Sequence, residues 1–391
     1  MFALPRSVYY LLVASIFVGS AMPLTVLVGG LIGSQLAPAA SLATLPITCV
    51  VVGTALSTFP ASAVMQRLGR RYGFCFCILV GVLSQGLAIA ALYTGSFALF
   101  CVSTLVMGFM VAGLQQMRFA AVEFAGREQA PQAISLLMLH GVVAAWLGPE
   151  LVSLVPASSG NIVPSDYVVA YTGLALMLTL AAIWTWFTLP RVDHKQAQLE
   201  AEQTRGASAG TFWVAVIASV TAFGVMSFVM TATPLSMHHN HGFSLDEAKL
   251  VIQSHILAMF LPSLLTGKLI SLIGSRAALA LGASIFVLSC LVALSGLTQQ
   301  HFLWSLIALG IAWNILFTTG TAILGAAGAT HQQQARHDFL VFSAQAMATV
   351  FAGIVLTQLA WRGVLLGSLL ALMPLGVALL LIQLRRFELD K

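Results

Sequence analysis

Apolar runs long enough to cross a membrane recur from one end of this chain to the other, with few charges to interrupt them. A bilayer core is about 30 Å thick, so a crossing helix needs about 20 apolar residues. The chain has 391 residues, 59% hydrophobic and 7% charged, where a soluble protein carries roughly 25% charged residues. Such a chain is a polytopic membrane protein, and its net charge of +5 reflects basic cytoplasmic loops rather than nucleic-acid binding. The expected fold is all-α integral membrane with twelve transmembrane helices, at 8–32, 41–65, 73–94, 96–124, 129–153, 167–189, 211–235, 246–272, 277–297, 301–326, 337–360 and 363–385. The first run lacks a small-residue cleavage site and reads as a transmembrane helix rather than a signal peptide.

The segments divide six and six, giving an N-terminal half 1–190, a polar linker 191–210 and a C-terminal half 211–391. Lys and Arg set the orientation. With the N-terminus inside, fourteen of them fall on the cytoplasmic side, among them Arg67, Arg70, Arg71, Arg127 and Arg276, and only Lys249 and Arg362 fall outside. Both termini are therefore expected in the cytoplasm. The five cysteines, Cys49, Cys75, Cys77, Cys101 and Cys290, lie in or beside apolar spans, so they are not a disulfide framework.

The two halves echo each other. Gln66-Arg67-Leu68-Gly69-Arg70-Arg71 follows the second span, and Ser271-Leu272-Ile273-Gly274-Ser275-Arg276 follows the eighth. The first resembles the loop signature of the major facilitator superfamily, G-x-x-x-D-R-x-G-R-R, with Ser62 for its first glycine and Gln66 for its aspartate. The second copy keeps Gly267, Gly274 and Arg276. The resemblance implies two six-helix halves around a central cavity that works by alternating access. Gly148-Pro149, with Gly141 upstream, is similar to the superfamily's antiporter motif, but two residues are too few to assign exchange and a helix kink is the preferred reading.

Two patterns carry candidate chemistry: Met226-x-x-x-Met230 in span seven and His255-x-x-x-Met259 in span eight. Each places two donors one turn apart on one helix face. Thioether with imidazole suits a soft ion such as Cu(I). Counted inward at about 1.5 Å per residue, Met230 lies ~7 Å deep, Met226 and His255 ~13 Å, and Met259 ~20 Å. A descending series of moderate ligands suits a transported ion, which must also leave. The outer loop adds Met237, His238, His239 and His241, a capture site or simply a polar turn. Cys49 and His140 are possible additional ligands, with Met22 at similar depth. Met107, Met110, Met117 and Met138 read as packing. Among the charges in spans, Arg118 and Glu123 need only snorkelling or a local ion pair, and Glu150 lies near the outer end of span five. No carboxylate stands out as a proton-coupling site.

With both motifs present, the chain resembles the CcoA-like (CalT family) copper importers. That implies copper uptake across the bacterial inner membrane, supplying a C-type haem–copper oxidase, with copper as substrate and no resident cofactor. The expected partners are the copper ion and the lipid bilayer, with a cytoplasmic copper chaperone left open, no nucleic acid, and a monomeric state. Relatives in that family carry other small molecules, including riboflavin. The alternative is therefore a transporter of a small organic molecule, with Trp146, Trp313, Asn314, Gln345 and Gln358 lining its cavity and the Met/His motifs incidental. Short loops disfavour a sensor. The lack of a nucleophile–base set, P-loop or closed zinc pattern disfavours an enzyme.

Overall fold

The computed structural model describes residues 4–39, 42, 45–154, 164–190, 206–237 and 241–385, and these are almost entirely helical. The helices are α1 (Arg6–Gly19), α2 (Ala21–Leu36), α3 (Leu45–Thr94), α4 (Phe97–Ala125), α5 (Ala130–Met138), α6 (His140–Glu150), α7 (Val168–Thr188), α8 (Ala209–Leu235), α9 (Leu245–Phe260), α10 (Ser263–Ser295), α11 (Gln299–Ala326), α12 (His331–Ala371) and α13 (Met373–Arg385). Most of the expected linker, 191–205, lies outside the described residues.

Among the described residues, nine helices are long and apolar enough to cross a membrane. Two of these stretches, Leu45–Thr94 and His331–Leu381, run to 50 and 51 residues, more than twice what one crossing needs. Each holds a residue off the helical path: Gly69 at φ 77° and ψ 168° in α3, and Ala360 at φ 55° in α12. In α10 the same role falls to Gly274, at φ 78° and ψ 159°. Gly69 and Gly274 are the glycines of the two echoing loops, and they share one backbone conformation that any side chain would strain. The eighth segment departs from a single run. It breaks between Phe260 and Ser263, where Pro262 cannot donate a backbone hydrogen bond.

Contacts group the chain into two compact units. The first holds Met1–Ala125, His140–Arg205 and Thr330–Phe339, and the second holds Gly126–Leu139, Gly206–Ala329 and Leu340–Lys391. Each therefore contains one helix start that follows the other half in sequence. In the first unit Ser62, standing where the loop signature has glycine, donates to the His331 carbonyl at 2.8 Å. In the second, the Gly267 N–H donates to Ser135 Oγ at 2.9 Å, and a side chain at Gly267 would collide with Pro131, Gln132 and Ser135.

The helices pack through small residues, as lipid-embedded helices do when no hydrophobic gradient drives them together. Gly53 and Gly108 bring α3 and α4 into backbone contact, and a Cβ on either would strike the opposite backbone. Gly108→Val is expected to force the two helices apart and to cost about 1–3 kcal/mol, the usual penalty of overpacking. The check is a lower melting temperature in detergent. Large apolar side chains such as Leu56, Leu79, Leu176, Phe187, Leu265 and Leu272 face outward, as a lipid contact surface requires.

Candidate functional site

Two of the candidate residues of the second unit, His255 and Met259 of α9, lie against α11. α9 begins with a capping box, in which Ser244 Oγ accepts from the Glu247 N–H at 3.2 Å and Glu247 accepts from the Ser244 N–H at 2.8 Å. α9 then lies so close to α11 that a Cβ on Gly310 would meet the backbone of His255, Ala258 and Met259. Where α9 stops, Asn314 takes over its loose ends. Its Nδ2 donates to the Met259 carbonyl at 2.7 Å and to Ser263 Oγ at 2.6 Å, and its Oδ1 accepts from Thr266 at 2.7 Å. Asn314 is thus spent on holding the broken segment together and has little left for a ligand.

His255 is 0% exposed. Its Nδ1–H donates to the Leu306 carbonyl at 2.7 Å, which in the neutral ring leaves the lone pair on Nε2. Nε2 has no partner. A buried acceptor without a partner costs free energy unless something supplies a hydrogen or a metal. Met259, one turn on, is buried beside the same helix. Met226 is buried and Met230 partly exposed on α8, and the Ser227 hydroxyl approaches the Met226 sulfur at 3.9 Å. Among the described residues no three His, Cys, Asp or Glu side chains are grouped to hold a metal ion, so an ion here would depend on thioethers.

An aromatic cluster that periodicity does not reveal sits one turn below Met226. Phe223 of α8 meets Trp313, Phe317 and Phe342 with ring centroids 5.2, 4.8 and 5.6 Å apart. Trp313 stacks on Phe317 at 5.3 Å and meets Phe260 of α9 edge-on at 5.7 Å. Trp313 is 3% exposed, yet among the described residues its Nε1–H has no acceptor, and the hydroxyls of Ser219, Thr318 and Thr321 on α8 and α11 have no hydrogen-bond partner. α8, α9 and α11 therefore combine flat apolar surfaces with unspent donors and acceptors.

The other candidates fall elsewhere. Met237 is fully buried. His241 closes the turn before α9, its Nδ1–H donating to the Ser236 carbonyl at 2.8 Å. His238 and His239 lie outside the described residues. Cys49 belongs to the first unit, where its half-buried thiol neighbours that of Cys101. His140, also in that unit, fills the space left by Gly19. Gly148 lies where the backbone of Ser20 and Leu24 passes, so close approach accounts for that glycine. Trp146 is 64% exposed and Gln358 is exposed, which removes both from a buried lining.

Arg118 does not snorkel. It is 1% exposed and ion-paired to Asp338, itself 1% exposed, a carboxylate that hydropathy leaves at the edge of a span. A charge followed by its opposite in a second apolar segment was the available signal, but sequence does not reveal which segments touch.

Comparison with known proteins supplies the context. The family model described as Major Facilitator Superfamily matches residues 9–335. The riboflavin transporter RfnT of Brucella anthropi is 35% identical over 365 residues, covering 91% of this chain and 90% of that protein. The uncharacterized MFS-type transporter YddS of Bacillus subtilis is 29% identical, covering 82% of this chain and 77% of that one. The crystal structure of FucP in its outward conformation superposes with a TM-score of 0.77 at 16% identity, covering 96% of this chain and 97% of that one, a likeness of fold alone.

Proposed function

The chain belongs to the major facilitator superfamily, a multi-pass membrane transporter, and on that premise we propose that it carries a small organic molecule with a flat hydrogen-bonding ring system, of which riboflavin is the type. The observation that carries this reading is the 35% identity to a riboflavin transporter across nine-tenths of both chains. The residues of the second unit suit such a cargo. A heteroaromatic ring can stack on Phe223, Trp313 or Phe317 in the offset or edge-on geometries aromatic pairs favour. Its imide N–H matches the acceptor at His255 Nε2, and a ring carbonyl or side-chain hydroxyl matches the Trp313 Nε1–H. A mostly apolar site with a few fixed polar groups is the usual form of a small-molecule site.

The topology we propose has twelve crossings with both termini in the cytoplasm of a bacterial inner membrane. Breaks at Gly69, Gly274 and Ala360 divide the three over-long helices, and the bias of Lys and Arg sets the direction.

Copper import is the second reading. What favours it is the buried lone pair of His255 with the Met259 thioether one turn away. One experiment separates the two: uptake of labelled riboflavin and accumulation of copper, measured in the same cells with and without the protein. Riboflavin uptake that tracks expression while copper stays at background is the expected result. The reverse pattern would replace the first reading with the second.

A further inference from the structure

The last membrane segment is bent, and the bend opens a groove on the exposed face of the second unit. α12 ends at Ala371 and α13 begins at Met373. Between them the Leu372 N–H is shared by the Ser368 and Leu369 carbonyls, at 3.2 Å each. Pro374 follows, and its missing N–H deprives the Leu370 carbonyl of the bond a continuous helix would supply. α13 then runs beside α8 with a gap between them.

The gap is a cavity of about 540 Å³, within the roughly 300–1,000 Å³ usual for ligand sites. Ile217 lines it from α8, and Leu370, Met373, Val377 and Leu381 line it from the bent segment. Those four are 47–64% exposed, so the groove opens outward, and Ala378, at 9%, lies deepest. No polar side chain lines the groove, which leaves nothing to hold a water-soluble ligand. The exposed apolar face of a membrane-spanning helix meets lipid hydrocarbon. A gap left empty there forfeits the dispersion contacts of every atom around it. An acyl chain is the narrow apolar ligand at hand to fill it.

One end of the groove carries markers for the headgroup. The two helices run antiparallel, since Phe228 of α8 lies against Gly367 while Ile217 lies in the groove. The start of α8 and the end of α13 therefore share that end. On α8, Trp213 stands one turn before Ile217 and is 46% exposed. Exposed tryptophans of membrane helices sit at headgroup level. On α13, Arg385 comes one turn after Leu381, and Arg386 follows in the sequence, with Glu388 and Asp390 farther on. At about 1.5 Å per residue, Trp213 and Arg385 stand ~6 Å beyond the groove. Basic residues directly flanking a span attract anionic lipid.

We propose that the groove between α8 and α13 is a binding site for one anionic phospholipid. An acyl chain lies along Ile217, Val377 and Leu381, and the headgroup sits at the Arg385 end. The lipid completes the packing of α13 against α8, which the cavity interrupts. This site depends on the membrane-spanning class of the chain and is independent of its cargo.

The test uses the full chain, purified in detergent, stripped of lipid, and titrated with phosphatidylglycerol or phosphatidylcholine of identical acyl chains. Native mass spectrometry counts bound lipid, and thermal melting reads its effect. One phosphatidylglycerol per chain should survive washing that removes the rest, and it should raise the melting temperature more than phosphatidylcholine does. An arginine near the headgroup is worth about fivefold in affinity. Arg385→Gln/Arg386→Gln should therefore bring phosphatidylglycerol close to phosphatidylcholine. Val377→Trp fills the groove and should abolish the retained lipid. Phosphatidylglycerol with a photoreactive group in its acyl chain should label wild type around Ile217 and Val377, which decides the location even if the tryptophan variant fails to fold. Equal affinity of wild type for the two lipids overturns the anionic assignment. Undiminished retention by folded Val377→Trp, or photolabel spread evenly over the exposed helix faces, overturns the site.

Discussion

Arg118→Met is expected to cost about 3–5 kcal/mol of folding free energy, the penalty for leaving a buried charge without its partner. Arg118 and Asp338 are each 1% exposed. Methionine keeps most of the volume but strips Asp338 of its strongest donor, leaving Gln116 and His337 to satisfy it. Arg118 also donates to Gln115 at 3.0 Å, so a second polar group loses its hydrogen. The expected readout is a large drop in melting temperature and in the yield of monodisperse protein in detergent. The double variant Arg118→Met/Asp338→Leu should recover most of the loss, because it removes both charges together. A single variant that melts with wild type would mean that the pair is not formed in the folded protein.

The same pair marks where sequence reading reaches its limit. Membrane class, helical content and superfamily were legible, because continuous apolar runs and the two glycine-arginine loops are local patterns. Gly69 and Gly274 adopt nearly the same dihedrals, 77° and 78° in φ, so the internal repeat visible as text is also visible as backbone. Asp338 was not legible. It lies at the edge of an apolar run, and its partner is 220 residues away in another segment. The break of the eighth segment at Pro262 departs from the unbroken span expected over 246–272, and only the structure shows Asn314 bridging it. For the ligand motifs the limit is geometric. A spacing of four shows that two side chains share one face of one helix, and it does not say what the next helix presents to that face. The aromatic cluster around Trp313 draws on α8, α9, α11 and α12, with no spacing that would group those rings in advance.

His255→Leu is expected to lower riboflavin transport about tenfold or more, since losing a hydrogen bond to a buried polar group of a ligand costs about 1–3 kcal/mol. The leucine fills the space between α9 and α11, so folded protein should persist while the acceptor at Nε2 is lost. Trp313→Phe, which keeps a stacking ring but drops the unpaired N–H, should fall in the same direction by a smaller factor. The methionines separate the two cargoes. Met226→Leu, Met230→Leu and Met259→Leu are close to volume-conserving and usually cost under about 1.5 kcal/mol in packing. For an organic cargo, transport should stay within a few-fold of wild type in all three. For Cu(I) the thioethers are the ligands, with no three His, Cys, Asp or Glu grouped to replace them among the described residues, so each leucine should weaken accumulation as His255→Leu does. A series in which His255 matters and the methionines do not identifies a hydrogen-bonded organic ring. A series in which all four fall together identifies a soft metal ion.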